Sequence, residues 1–147
     1  MHVLLGVDDT DILGHKPGTG RLARDLGAHL EQRRLGRLVG VVRQQLLVDP
    51  RIPYTSHNSP ACLILEMESG GNGTARRLFD EAADYVRSRC APGSDPGLCF
   101  AARDGVATIV MEFGWRAGNE VLTKAEAVAL ARREDLRLEE LGGTGDG

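Results

Sequence analysis

Cysteine is scarce in this sequence: Cys62, Cys90 and Cys99 are an odd set with no C-x-x-C spacing. That argues against a disulfide framework and against a zinc ribbon. No apolar run approaches the roughly 20 residues that a membrane-spanning helix needs. The segment after Met1 lacks the basic and small-residue flanks of a signal peptide. Basic charge is not in excess, since the formal net charge is -3, so any nucleic-acid contact needs a local patch. There is no Walker A loop, no G-x-S-x-G elbow, no internal repeat and no low-complexity tract. The expectation left by these absences is a cytoplasmic protein.

What is present is globular. The chain has 147 residues, 41% hydrophobic and 27% charged, enough for one compact domain and too few for two full-sized ones. Sixteen of the eighteen basic residues are arginine. Arginine forks suit phosphate, but these are scattered over helix faces, and codon bias explains them equally well.

Apolar patterning outlines the elements. Residues 2–7 (HVLLGV) read as a strand buried on both faces. From Thr19, the spacing of Leu22, Leu26 and Leu30 predicts a helix ending near Gly36. Residues 38–48 read as a strand bent at Gly40, residues 61–67 as a buried strand, and residues 74–89 as a helix. Residues 91–97 read as a loop and residues 106–113 (VATIVMEF) as a strand. Thr123 and Glu126 form a T-x-x-E capping box opening a helix to about Asp135, and residues 136–141 suggest a last strand. The expected class is α/β (α+β), a mixed sheet with helices in a single compact unit. Residues 1–141 form the domain, and residues 142–147 form a glycine-rich tail or truncated turn.

Chemistry concentrates where the first strand ends. Asp8, Asp9 and Asp11 fall within four residues, just before a glycine-bearing loop and a helix. Carboxylates that close repel one another unless a cation joins them, and hard oxygen ligands suit Mg²⁺. An Asp-rich turn with solvated carboxylates is the alternative. Gly18-Thr19-Gly20-Arg21 places small residues and a hydroxyl at a helix N-terminus, which favours phosphate; plain N-capping by Thr19 explains the same residues. A second polar cluster spans residues 54–59, where His57 could serve as an acid–base group and Asn58 as a base or ribose contact; a hydrogen-bonded turn is the alternative. Cys62 opens an apolar strand and reads as core. The terminal GGTGDG reads either as a phosphate-binding turn or as a tail.

Together, Gly6-Val7-Asp8-Asp9-Thr10-Asp11 and Gly18-Thr19-Gly20-Arg21-Leu22-Ala23 resemble the N-terminal kinase-like domain of the archaeal tRNA-isoleucine agmatidine synthetase family. Residues 48–54, the polar loop after them and the terminal glycine turn are similar to later segments of that family. The resemblance implies ATP-dependent activation of a tRNA wobble cytidine by phosphoryl transfer, then displacement by agmatine. It implies Mg²⁺ on Asp8, Asp9 and Asp11, and a phosphate-transfer role for Thr19, with Gly20 standing where the family has a second threonine. Gly18, Thr19, Gly20, Arg21, His57 and Asn58 would contact the nucleotide. Any tRNA would be held through another chain or further domains, and a nucleotide- or partner-binding module without turnover is the other reading.

Overall fold

The computed structural model describes residues 1–52, 59–68 and 71–142. Their order is β1 (His2–Asp8), α1 (Thr19–Gln32), β2 (Arg37–Arg43), β3 (Ala61–Glu66), α2 (Gly71–Arg89), β4 (Gly97–Ala102), a 3-10 turn (Arg103–Gly105), α3 (Thr108–Arg116), α4 (Lys124–Arg133) and β5 (Arg137–Glu140). The strands form one sheet in the order β2-β3-β1-β4-β5, with every neighbouring pair antiparallel. The result is a single mixed α/β unit, as the alternation of patterns predicts.

β1 is the central strand, and its burial alternates. Val3, Leu5 and Val7 are fully buried while His2, Leu4, Gly6 and Asp8 are only partly so. The expectation of a strand buried on both faces is therefore corrected: α1 and α2 cover one face, and the other stays partly open. Leu22, Leu26 and Leu30 from α1 join Leu78, Phe79 and Val86 from α2 in the core against that covered face. Burying each such side chain contributes about 1.5–3 kcal/mol.

The end of α1 also differs from expectation. Arg34, not Gly36, takes the left-handed position (φ 56°) just past the helix. The Leu35 N–H donates to Leu30 O and the Arg34 N–H to Glu31 O, the paired bonds of a Schellman ending. β2 stops at Arg43 rather than Val48. Beyond it the chain leaves the sheet and runs beside the end of α3, with Gln44 Nε2 donating to Gly114 O and the Leu47 N–H to Ala117 O. The bend expected at Gly40 is a register shift between Leu38 and Gly40.

The largest correction concerns residues 97–113. The strand lies at Gly97–Ala102, paired with both β1 and β5, whereas Thr108–Arg116 is helical. The β-branched run Thr108-Ile109-Val110 suggested a strand, yet Ile109 and Phe113 recur at helical spacing and are half-buried, with Met111 and Trp115 exposed. Tertiary placement outweighs propensity here.

The capping box at α4 forms as read. Glu126 N–H donates to Thr123 Oγ1 at 3.2 Å, and Thr123 N–H donates to Glu126 Oε2 at 2.7 Å. Those bonds hold the Glu126 carboxyl below its usual range. A depressed carboxyl favours the fold while ionised, so this contribution is lost as pH falls through that lowered value. Thr123→Ala is expected to lower the melting temperature by about 2–4 °C, read by calorimetry at neutral pH. An unchanged value would mean that the cap is dispensable.

The last described residues reach the same end of the sheet as Asp8. Asp8 pairs with Gly97, Gly97 pairs with Glu140, and the Leu141 N–H donates to Pro96 O at 2.7 Å. Gly142 sits so tightly on Asp95 that a Cβ there would overlap Asp95 Cα. No described helix is long and apolar enough to cross a membrane.

Candidate functional site

β1 delivers Asp8 to the end of the sheet, and the chain turns sharply there. Asp9 adopts φ 53°, a left-handed conformation that Asp tolerates better than most residues. Its N–H donates to Asp8 Oδ1 at 2.8 Å. The turn sends Thr10 inward, where it is 1% exposed, and its carbonyl accepts the Ala91 N–H. From Asp11 the chain loops to Gly18, passing a cis peptide at Lys16-Pro17. α1 then begins at Thr19.

Thr19 does not cap its helix. Gly18 is the N-cap, and among the described residues no side chain caps the first turn of α1. The Thr19 hydroxyl, on a residue 5% exposed, instead lies 2.8 Å from Thr10 Oγ1 and donates to Asp11 Oδ1 at 3.4 Å. One hydroxyl is thus held between a second hydroxyl and a carboxylate. Asp11 Oδ2 would be 3.4 Å from a Cβ on Gly18, so glycine leaves that carboxylate room against the helix start.

Electrostatics sharpen the geometry. Burial pushes the Asp8 carboxyl above its usual range, and the neighbouring Asp11 charge pushes the same way. The Asp9 N–H and the positive charge of Arg43 act in opposition. A carboxylate held against both desolvation and a like charge is poised for a cation. Among the described residues, no three His, Cys, Asp or Glu side chains form a closed metal cluster. Asp8 and Asp11 still suit Mg²⁺ in its usual mode, in which one or two carboxylates share the ion with substrate phosphates and water.

Of the residues read from the sequence, the structure brings Asp11 against Gly18 and Thr19, with Asp8 near enough to feel the Asp11 charge. Asp9 contributes its N–H to the turn, and among the described residues the three aspartates do not converge as one metal-holding group. Arg21 is exposed and its Nε lies 3.1 Å from both carboxylate oxygens of Asp25. His57, Asn58 and the terminal residues 143–147 lie outside the described residues. Cys62 is half-buried on β3, and burial pushes its thiol up, which disfavours a nucleophilic role.

Two residues beside the site, and one in the adjoining loop, were missed. Thr10 lies inside the Asp-rich motif, and only the fold shows that its buried hydroxyl meets that of Thr19. Arg43 is far from the motif in sequence, and only the fold shows that the end of β2 reaches α1. His15, in the loop between Asp11 and Gly18, has a buried Nδ1 with no hydrogen-bond partner among the described residues.

No protein-family model matches the sequence, and no curated protein does either. Solved structures share the fold. The crystal structure of TiaS in complex with an isoleucine tRNA and ATP superposes with a TM-score of 0.80 at 23% identity. The TiaS complex with the same tRNA, AMPCPP and agmatine gives 0.78 at 23%. Apo TiaS, an agmatidine synthetase acting on that tRNA, gives 0.75 at 22%. The matches cover 100% of this chain and 34% of each TiaS chain in the two complexes, so the chain spans about a third of their length.

Proposed function

We propose that this chain is an ATP- and Mg²⁺-dependent phosphoryl-transfer enzyme of the agmatidine synthetase type, acting on a nucleobase-type acceptor in tRNA modification. The observation that carries the reading is the Thr19 hydroxyl, held 2.8 Å from Thr10 Oγ1 and 3.4 Å from Asp11 Oδ1 at an uncapped helix start beside Asp8. Free N–H groups at that start favour an anion, and the acidic end of β1 favours a cation. ATP with Mg²⁺ offers both charges in one ligand. The fold shared with TiaS complexes of tRNA with ATP or an ATP analogue supports the same ligand class.

In this reading Thr19 Oγ1 takes the terminal phosphoryl group and passes its proton to Asp11. The bond from the terminal phosphorus to ADP breaks as the bond to Thr19 forms, and the group then moves to the acceptor. Thr10 holds the Thr19 hydroxyl in line. Asp8, Asp9 and Asp11 would hold Mg²⁺, which supplies neutralisation of charge on the transferring group. Gly18, Gly20 and Arg21 would line the phosphates, with His57 and Asn58 reaching the nucleoside.

A thermal-shift titration with ATP, with and without Mg²⁺, tests the reading. Ligand at about a hundred times its dissociation constant stabilises a fold by roughly 2.7 kcal/mol, well above detection. The expected result is a shift that requires Mg²⁺. No shift at saturating Mg-ATP would overturn it. A shift without turnover would favour a second reading, a nucleotide-binding subunit of a tRNA-modifying assembly.

A further inference from the structure

Arg43 ends β2, and its guanidinium lies over the first turn of α1. A Cβ on Gly20 would overlap Arg43 Nη1 and come within 3.2 Å of Cζ. Two backbone carbonyls fix the group there: Nε donates to Pro60 O at 3.0 Å and Nη2 to Ser59 O at 2.7 Å. The third nitrogen, Nη1, is the one turned to Gly20. The same point over Gly20 lies 3.8 Å from Arg24 Nη1. Two exposed guanidiniums from different elements therefore converge on the same side of a single glycine, next to Thr19 in the chain.

Among the described residues neither guanidinium lies within ion-pair distance of a carboxylate, although the Arg43 charge still acts on Asp8. Like charges that close repel, and an anion between them relieves the repulsion. Planar forks with spare N–H groups match phosphate oxygens. Asp11 touches the Thr19 hydroxyl and Arg43 is near enough for its charge to act on Asp8, so an anion bound by the arginines would lie within reach of a cation on the acidic turn.

We propose that Arg43 contacts the terminal phosphate of the bound nucleoside triphosphate, and that glycine at position 20 is the opening through which its guanidinium reaches it. The assignment rests on the phosphoryl-transfer reading and adds to it the residue that distinguishes triphosphate from diphosphate.

Calorimetric titration of the whole chain with Mg-ATP and Mg-ADP tests this. Removing one charge-assisted phosphate contact by Arg43→Ala should weaken Mg-ATP by about tenfold or more. Mg-ADP affinity should stay within about threefold, and Arg43→Lys should restore part of the loss. Gly20→Ala should reproduce the ATP-specific loss without lowering the melting temperature, because alanine suits a helix better and only a flexible side chain must move. The double variant should be no weaker than Arg43→Ala alone. Equal losses for both nucleotides, or none while the wild type binds Mg-ATP, would overturn the assignment. Inorganic tripolyphosphate with Mg²⁺ separates the two readings. If the wild type binds it through Arg43 but ignores ATP, the arginine assignment stands and the nucleotide reading falls. If it binds neither, both fall.

Discussion

Asp8→Asn is expected to reduce Mg-ATP turnover at least about a hundredfold while leaving the melting temperature at or above that of the wild type. The two effects have one cause. Asp8 is a partly buried carboxylate with Asp11 near enough to oppose its charge, while the Asp9 N–H and the charge of Arg43 favour ionisation. Asparagine keeps the oxygen that accepts the Asp9 N–H and removes the charge that the fold holds at a cost. A residue kept for stability would behave oppositely, since cutting a favourable contact lowers the melting temperature. Asp9→Asn should fold equally well, because asparagine tolerates the left-handed φ of 53° at that position. Release of phosphate from Mg-ATP and calorimetric melting, measured on both variants, decide the matter. Turnover that survives both substitutions would remove the acidic turn from the mechanism.

Parts of this architecture were legible because a single segment carries them. The leucine spacing of α1, the apolar run of β1 and the Thr123–Glu126 capping box each state their structure locally, and each forms. The acidic turn and Thr19 stand out in the sequence by residue type, on either side of one short loop, while their roles do not. β4 was not. Gly97-Leu98-Cys99-Phe100-Ala101-Ala102 mixes small and apolar residues without alternation, and pairing with β1 and β5 makes it a strand. The neighbouring Thr108-Ile109-Val110 has the stronger β propensity yet is helical, because its half-buried residues recur at helical spacing. The same division holds in the site. Arg43 carries no signal in its own segment, and only the packing of the β2 end on α1 puts its guanidinium over Gly20. Likewise, whether Thr19 caps its helix or faces the acidic turn depends on Thr10 being buried against it.

That choice between capping and chemistry yields the second large effect. Thr19→Val keeps the shape of the side chain and removes its oxygen, so phosphoryl transfer should fall by about a thousandfold. Capping contributes nothing to this loss, because α1 takes no side-chain cap from Thr19. Stability should fall too, since Thr10 Oγ1 is buried and loses its 2.8 Å partner; an unsatisfied buried hydroxyl costs about 1–3 kcal/mol. Thr10→Val removes the same hydrogen bond but leaves the accepting oxygen in place. It should match Thr19→Val in stability while losing only about ten- to a hundredfold in rate, the cost of misplacing a reacting group. Asp11→Asn should fold normally, lose about a hundred- to ten-thousandfold in rate and bind Mg-ATP more weakly. Thr19→Ser should retain transfer, because it keeps the hydroxyl. Single-turnover transfer from labelled ATP, with melting temperatures alongside, separates these outcomes. If Thr10→Val and Thr19→Val lose equal rate at equal stability, the hydroxyl pair is only a structural clasp and Thr19 is not the acceptor. A wide gap in rate at matched stability is what a reacting oxygen on Thr19 requires.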